Sequence, residues 1–142
     1  MTKYVYFFSP SVSEGYASPK RLLGAKGASL AELCQNDLPV PPGFILSTEV
    51  CAHYYKNDRS YPKELSSQMV EAIERLETET GRKFGDPGNP LLVSVRSSAP
   101  VPMPGMMDTI LNLGMNDEFA EGLARTTGNE RFAWDAYRRL LQ

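Results

Sequence analysis

Leu91-Leu92-Val93-Ser94-Val95-Arg96-Ser97 is the run on which the fold turns. Leu91 to Val95 is the most apolar strand-length stretch in the chain, and it predicts a central, buried strand. A charged residue, Arg96, follows it directly. Upstream, Gly85-Asp86-Pro87-Gly88-Asn89-Pro90 is a turn cluster. Before it, Leu65, Met69, Ala72, Ile73 and Leu76 recur at spacings of three and four, which predicts a helix with one buried stripe. Pro62 suits its first turn and Gly81 its end. Downstream, residues 97–107 carry three prolines, one glycine and three methionines and read as a loop. Thr109 to Leu113 reads as a further strand, closed by Gly114. Strands alternating with helices place the chain in the α/β (α+β) class, with a small mixed sheet flanked by helices.

Tyr4 to Phe8, aromatic and β-branched, predicts a short strand, and residues 9–19 a loop. A helical pattern begins at Gly24, with Leu30, Leu33 and Cys34 on one face. Asn36-Asp37 and Pro39 end it. Pro39, Pro41 and Pro42 force an extended approach to a strand at Phe44-Ile45-Leu46. Ser47 or Thr48 can cap a helix over roughly 49–57. Asn116 or Asp117 can cap another to about residue 126, with Phe119, Ala120, Leu123 and Ala124 inward and Gly128 at its end. Asn129 caps the last helix, whose apolar face is Phe132, Ala133, Ala136, Tyr137, Leu140 and Leu141. That stripe runs to Gln142, and it raises the expectation of a fragment of a larger protein. The plainer reading is that the helix docks on its own domain.

The 142 residues suit about one domain. Lys plus Arg is 15 against 17 Asp plus Glu, a formal charge of −2, which excludes a nucleic-acid binder working through bulk positive charge. Apolar residues at 42% and charged residues at 23% argue for a folded chain. No run approaches the ~20 apolar residues that span a bilayer. Lys3 is followed by only Tyr4-Val5-Tyr6-Phe7-Phe8, too short for a signal peptide. Two cysteines, Cys34 and Cys51, exclude a disulfide framework and favour a cytoplasmic setting. With one histidine, His53, zinc sites built on Cys/His pairs are absent.

Three stretches could carry chemistry. Gly24-Ala25-Lys26-Gly27 opens a helix, where unpaired N–H groups and the helix dipole attract anions. The spacing is not that of a Walker A loop, and an ordinary helix start with a solvated lysine has the same appearance. Arg96 at a strand end can grip phosphate oxygens bidentately, or pair with a local carboxylate. Met103-Pro104-Gly105-Met106-Met107-Asp108 can form a pliable apolar lid, or a surface loop tucked onto the core. His53 reads as a surface or satisfied histidine, Arg138-Arg139 as a solvated pair of which one could face an anion, and both cysteines as inert.

In order along the chain, Leu23-Gly24-Ala25-Lys26-Gly27-Ala28-Ser29-Leu30-Ala31-Glu32, Leu38-Pro39-Val40-Pro41-Pro42-Gly43-Phe44, Leu91 to Ser97 and Met103 to Gly114 together resemble the start of the pyruvate phosphate dikinase family. Gly128 to Arg139 resembles its next segment, so the likeness covers nearly all of the chain. Ala25 and Ser98 stand where the family usually has glycine, and Arg96-Ser97-Ser98 is closer to the water dikinases that make phosphoenolpyruvate (PEP). The resemblance implies an ATP-grasp-like nucleotide-binding domain, of which residues 1–142 would be the N-terminal portion. That domain passes the β,γ-pyrophosphoryl unit of ATP to a histidine on a swivelling domain, and a barrel then phosphorylates pyruvate. It implies that Lys26 and Arg96 contact the ATP phosphates and that Gly105, Met107 and Arg139 lie near them. It places the Mg²⁺ ligands, the phosphohistidine and the pyruvate site beyond residue 142, makes the fragment inactive alone, and implies a homodimer for the full-length enzyme. The alternatives are a PEP synthase type that uses water in place of phosphate, and a truncated, non-catalytic anion-binding or interaction module.

Overall fold

The computed structural model describes residues 2–16, 19–36, 38–86, 88–89, 91–97 and 109–142. Among them are five strands and five helices, divided between two compact units: β1 to α3 in the first, β4 to α5 in the second.

In the first unit, β1 (Val5–Ser9) is the middle strand of a sheet ordered β2-β1-β3, with β2 at Val12–Ser13 and β3 at Gly43–Leu46. Both pairings are antiparallel: Phe8 faces Ser13, and Val5, Tyr6 and Phe7 face Leu46, Ile45 and Phe44. Part of the expected loop at 9–19 is therefore the second arm of a hairpin. Helix α1 (Lys20–Gln35) is interrupted at Gly24, whose φ of 76° and ψ of 169° are not helical. Its buried positions after the break are Gly27, Ala31 and Cys34, and Leu33 is exposed. The stripe is rotated from the expected one because a Cβ on Gly27 would lie 3.1 Å from Ile45 Cγ2, and that close approach sets which side of α1 meets β3.

Helix α2 (Thr48–Lys56) follows Ser47, and α3 (Lys63–Thr80) buries Leu65, Ala72 and Leu76, as the periodicity requires. Tyr4, Val5, Val50, Leu65 and Ala72 make one core cluster with Phe44 and Met69 against it, and Phe8, Cys34 and Val40 make another. Two side chains finish the edge of β1. Gln68 Oε1 accepts from the Tyr4 and Val5 N–H groups at 2.7 and 3.2 Å, and its Nε2 donates to the Thr2 carbonyl at 2.7 Å. Glu14 accepts from the Phe7 N–H at 2.8 Å while pairing with Lys3 at 3.0 Å and Arg75 at 3.3 Å. The Arg75 guanidinium lies over the Phe7 ring, 4.2 Å from its centre.

In the second unit, β4 (Val93–Arg96) and β5 (Thr109–Leu113) form a two-stranded antiparallel ribbon. The expectation of a central, buried strand at Leu91–Val95 is wrong in this respect. Among the described residues β4 has one neighbour, and Val95 is 44% exposed. Leu91, just before the strand, is the part that is buried. The α/β class holds, but the sheet is two antiparallel pieces. Helices α4 (Asp117–Thr127) and α5 (Glu130–Leu141) begin at Asn116 and Asn129, whose side chains accept from Phe119 N–H at 2.9 Å and Phe132 N–H at 3.0 Å. Gly128 closes α4 in the left-handed conformation. Met115, Phe119, Ala120 and Ala136 form the core of this unit, with Leu92, Leu123, Tyr137 and Leu140 against it. Phe132 and Leu141, expected on the apolar face, are exposed.

Candidate functional site

The lysine turn has a backbone reason for its first glycine. An L side chain rarely adopts Gly24's φ of 76°. The break restarts the helix at Ala25, so Lys26 sits in a first turn, where the helix dipole is positive. Lys26 itself is exposed. The two glycines are not exposed. Gly24 and Gly27 are both buried, and Gly27 serves the packing of α1 on Ile45. The turn therefore places an exposed lysine at a helix start, while its glycines answer to folding.

Arg96 is exposed at the last position of β4, across from Thr109 of β5. The rule that ligands gather at the carboxyl ends of parallel strands does not apply to an antiparallel ribbon. What places Arg96 is its pairing with β5, the strand that leads through Met115 into α4 and α5. Arg139 lies on the last turn of α5, exposed, with Nε donating to Asp135 Oδ2 at 3.1 Å. Arg138 donates to Asp135 Oδ1 at 2.9 and 3.1 Å and to Gln142 Oε1 at 3.0 Å. The Arg138 hydrogen bonds, with Arg139's help and against a smaller desolvation effect, hold the Asp135 carboxyl below the usual carboxylate range. Both arginines keep a fixed carboxylate partner, so the guanidinium of Arg139 is oriented as well as charged. Gly105 and Met107, with the rest of Met103 to Asp108, lie outside the described residues.

Of the candidates, Arg96 and Arg139 fall in the second unit and Lys26 in the first. His53 Nδ1 lies 3.0 Å from the Ser60 carbonyl in the turn between α2 and α3, a satisfied histidine as the sequence suggests. Cys34 is buried, which pushes its thiol up, and it is not a nucleophile by this placement. Three polar side chains with fixed work escaped the sequence reading: Glu14, Gln68 and Asn112. The last donates to the Ala136 carbonyl of α5 at 3.0 Å. Its signal was available, since asparagine two residues before Gly114 in a strand-like run marks an irregularity.

A family model described as "Pyruvate phosphate dikinase, AMP/ATP-binding domain" matches residues 20–65 and 58–139. The chain is 53% identical over 142 residues to a pyruvate, phosphate dikinase of Clostridium symbiosum, covering 100% of this chain and 16% of the relative. It is 51% identical, with the same coverage, to one of Rhizobium meliloti (strain 1021). It is 51% identical over 139 residues to pyruvate, phosphate dikinase 1, chloroplastic, of Oryza sativa subsp. japonica, covering 98% of this chain and 15% of the relative. The chain thus spans about a sixth of the length of the curated relatives it matches.

Proposed function

Because this chain belongs to the pyruvate phosphate dikinase AMP/ATP-binding domain family, we propose that residues 1–142 are the leading part of the nucleotide-binding domain of a pyruvate, phosphate dikinase. In this reading Lys26, Arg96 and Arg139 hold the ATP polyphosphate, with Gly105 and Met107 beside it. The β,γ-pyrophosphoryl unit then passes to a histidine on another domain of the longer, homodimeric, cytoplasmic enzyme, which converts ATP, pyruvate and phosphate to AMP, PEP and diphosphate. The observation that carries the reading is the left-handed break at Gly24, which gives Lys26 a helix start in place of a helix interior. Phosphoryl transfer is mostly positioning and charge neutralisation, and a helix-start lysine, the exposed Arg96 and an Arg139 oriented by Asp135 can supply both.

Mg²⁺ accompanies ATP in the resembling family. Among the described residues no three His, Cys, Asp or Glu side chains gather as a metal set, and Asp135 is engaged by two arginines. These residues do not fit the ion, and its ligands belong in our reading to other parts of the longer protein. Among the described residues no helix is long and apolar enough to cross a membrane.

The test is Arg96→Ala in the full-length enzyme. A bidentate, charge-assisted contact is worth about 3 kcal/mol, so the ATP half-reaction falls about 100-fold while the pyruvate half-reaction is spared. Equal loss in both halves makes Arg96 structural and sinks the reading. AMP formation that proceeds without inorganic phosphate reassigns the chain to the water-using type.

A further inference from the structure

The ribbon of the second unit is irregular at one place. Val93 pairs with Leu113 and Val95 with Ile110, so Leu111 and Asn112 on β5 stand opposite Ser94 alone on β4. This is a bulge. Asn112 occupies it with a φ of 55°, in the left-handed region that non-glycine residues rarely enter and that asparagine tolerates best among those with a large polar side chain. A bulge re-aims a side chain, and here the half-buried Asn112 amide is turned onto α5, where Nδ2 donates to the Ala136 carbonyl at 3.0 Å. The Asn112 carbonyl in turn accepts from the Met115 N–H at 3.3 Å, fixing the turn that leads into α4.

Two features make this more than a loop detail. Ala136 is buried, and Arg139 lies one helical turn further along the same helix. Arg96 lies at the other end of the same ribbon, at the pair with Thr109. Apolar contacts from Met115, Phe119 and Ala120 hold α5 in place but are non-directional, and they leave it free to roll or slide by fractions of a turn. The Tyr137 hydroxyl, raised above its ordinary pKa by a hydrogen bond to Asp117, ties α5 to α4. Among the described residues, Asn112 supplies a directional side-chain bond between α5 and β5, the strand that pairs with Arg96.

We propose that Asn112 is a positioning residue for ATP: its bulge conformation and its bond to Ala136 set the placement of α5, and so of Arg139, relative to Arg96. The inference rests on Arg139 contacting the polyphosphate, and the test separates the two. In the full-length enzyme, Asn112→Gly keeps the left-handed backbone and removes only the amide. Asn112→Asp keeps the shape and replaces the donor with a carboxylate that repels the Ala136 carbonyl. Both raise KM for ATP about tenfold and leave KM for pyruvate and the pyruvate half-reaction unchanged, a split that general destabilisation does not produce. Combined with Arg139→Ala, Asn112→Gly adds nothing further, because both act through one side chain. If Arg139→Ala alone leaves KM for ATP unchanged, the functional reading of Arg139 is wrong. If Arg139→Ala impairs ATP use and Asn112→Gly does not, or if their effects simply add, the positioning role of Asn112 is overturned.

Discussion

The two sheets invert what their compositions suggest. β4 and the residues before it, Leu91-Leu92-Val93-Ser94-Val95, look like a core strand, yet Val95 is 44% exposed in a two-stranded ribbon. β1, Val5-Tyr6-Phe7-Phe8-Ser9, is flanked on both edges, and Phe7 is 1% exposed. What differs is the neighbours. β1 has two strands beside it, and Glu14 and Gln68 accept N–H groups along it. A strand is buried by what packs on it, and its own apolar content only makes that burial favourable.

The largest effect expected from this contrast is at Phe7. Phe7→Ala empties a filled site under the Arg75 guanidinium and should cost about 3–5 kcal/mol in chemical denaturation. A cost below about 1 kcal/mol would mean that the three-stranded sheet is not the core. Next is Gly24→Ala, which forces a Cβ into a left-handed φ and should cost about 1–3 kcal/mol. Calorimetry that finds no loss would show that the break in α1 is not kept in solution.

Glu14 gives a smaller, pH-dependent effect confined to the first unit. Burial pushes its carboxyl up, but the Phe7 N–H, Lys3 and Arg75 outweigh burial and hold it below the usual range. Its folded pKa lies under its unfolded one, so its contribution to stability is complete above the unfolded value and is lost as pH falls through the folded value. Stability measured from pH 6 down to pH 3 should therefore fall less steeply in Glu14→Gln than in the parent. Identical slopes would remove Glu14 from the account of β1. The smallest change is expected from Val95→Thr, within about 0.5 kcal/mol, because the site is exposed. A cost above about 1 kcal/mol would show that this face of the ribbon is covered in solution, and β4 would regain the buried role its sequence suggests.

Local signals were legible where a local rule governs. Asn116 and Asn129 cap their helices as their positions require, Gly81 and Gly128 take the left-handed conformation at helix ends, and the stripe on α3 is buried at Leu65, Ala72 and Leu76. The start of α1 was not: the pattern suggests a helix from Gly24, whereas α1 begins at Lys20 and Gly24 is a break inside it. Arg96 and Arg139 could be named from their motifs, but the fixing of Arg139 by Asp135 and the tie of α5 to β5 could not be read in advance. They depend on pairs that meet only after folding.

Sequence by itself determined β1, β3, β4, β5 and the helices to within a few residues, the asparagine caps of α4 and α5, and the α/β class, because hydrophobic period and capping chemistry act within a turn or two of chain. Tertiary structure alone decided that β1 is the buried strand and β4 an exposed one, that Gly27 turns α1 toward Ile45, and that Asn112 bulges to reach Ala136, 24 residues away. Burial and side-chain hydrogen bonding are properties of neighbours in space, and no local pattern says which neighbours a strand will find.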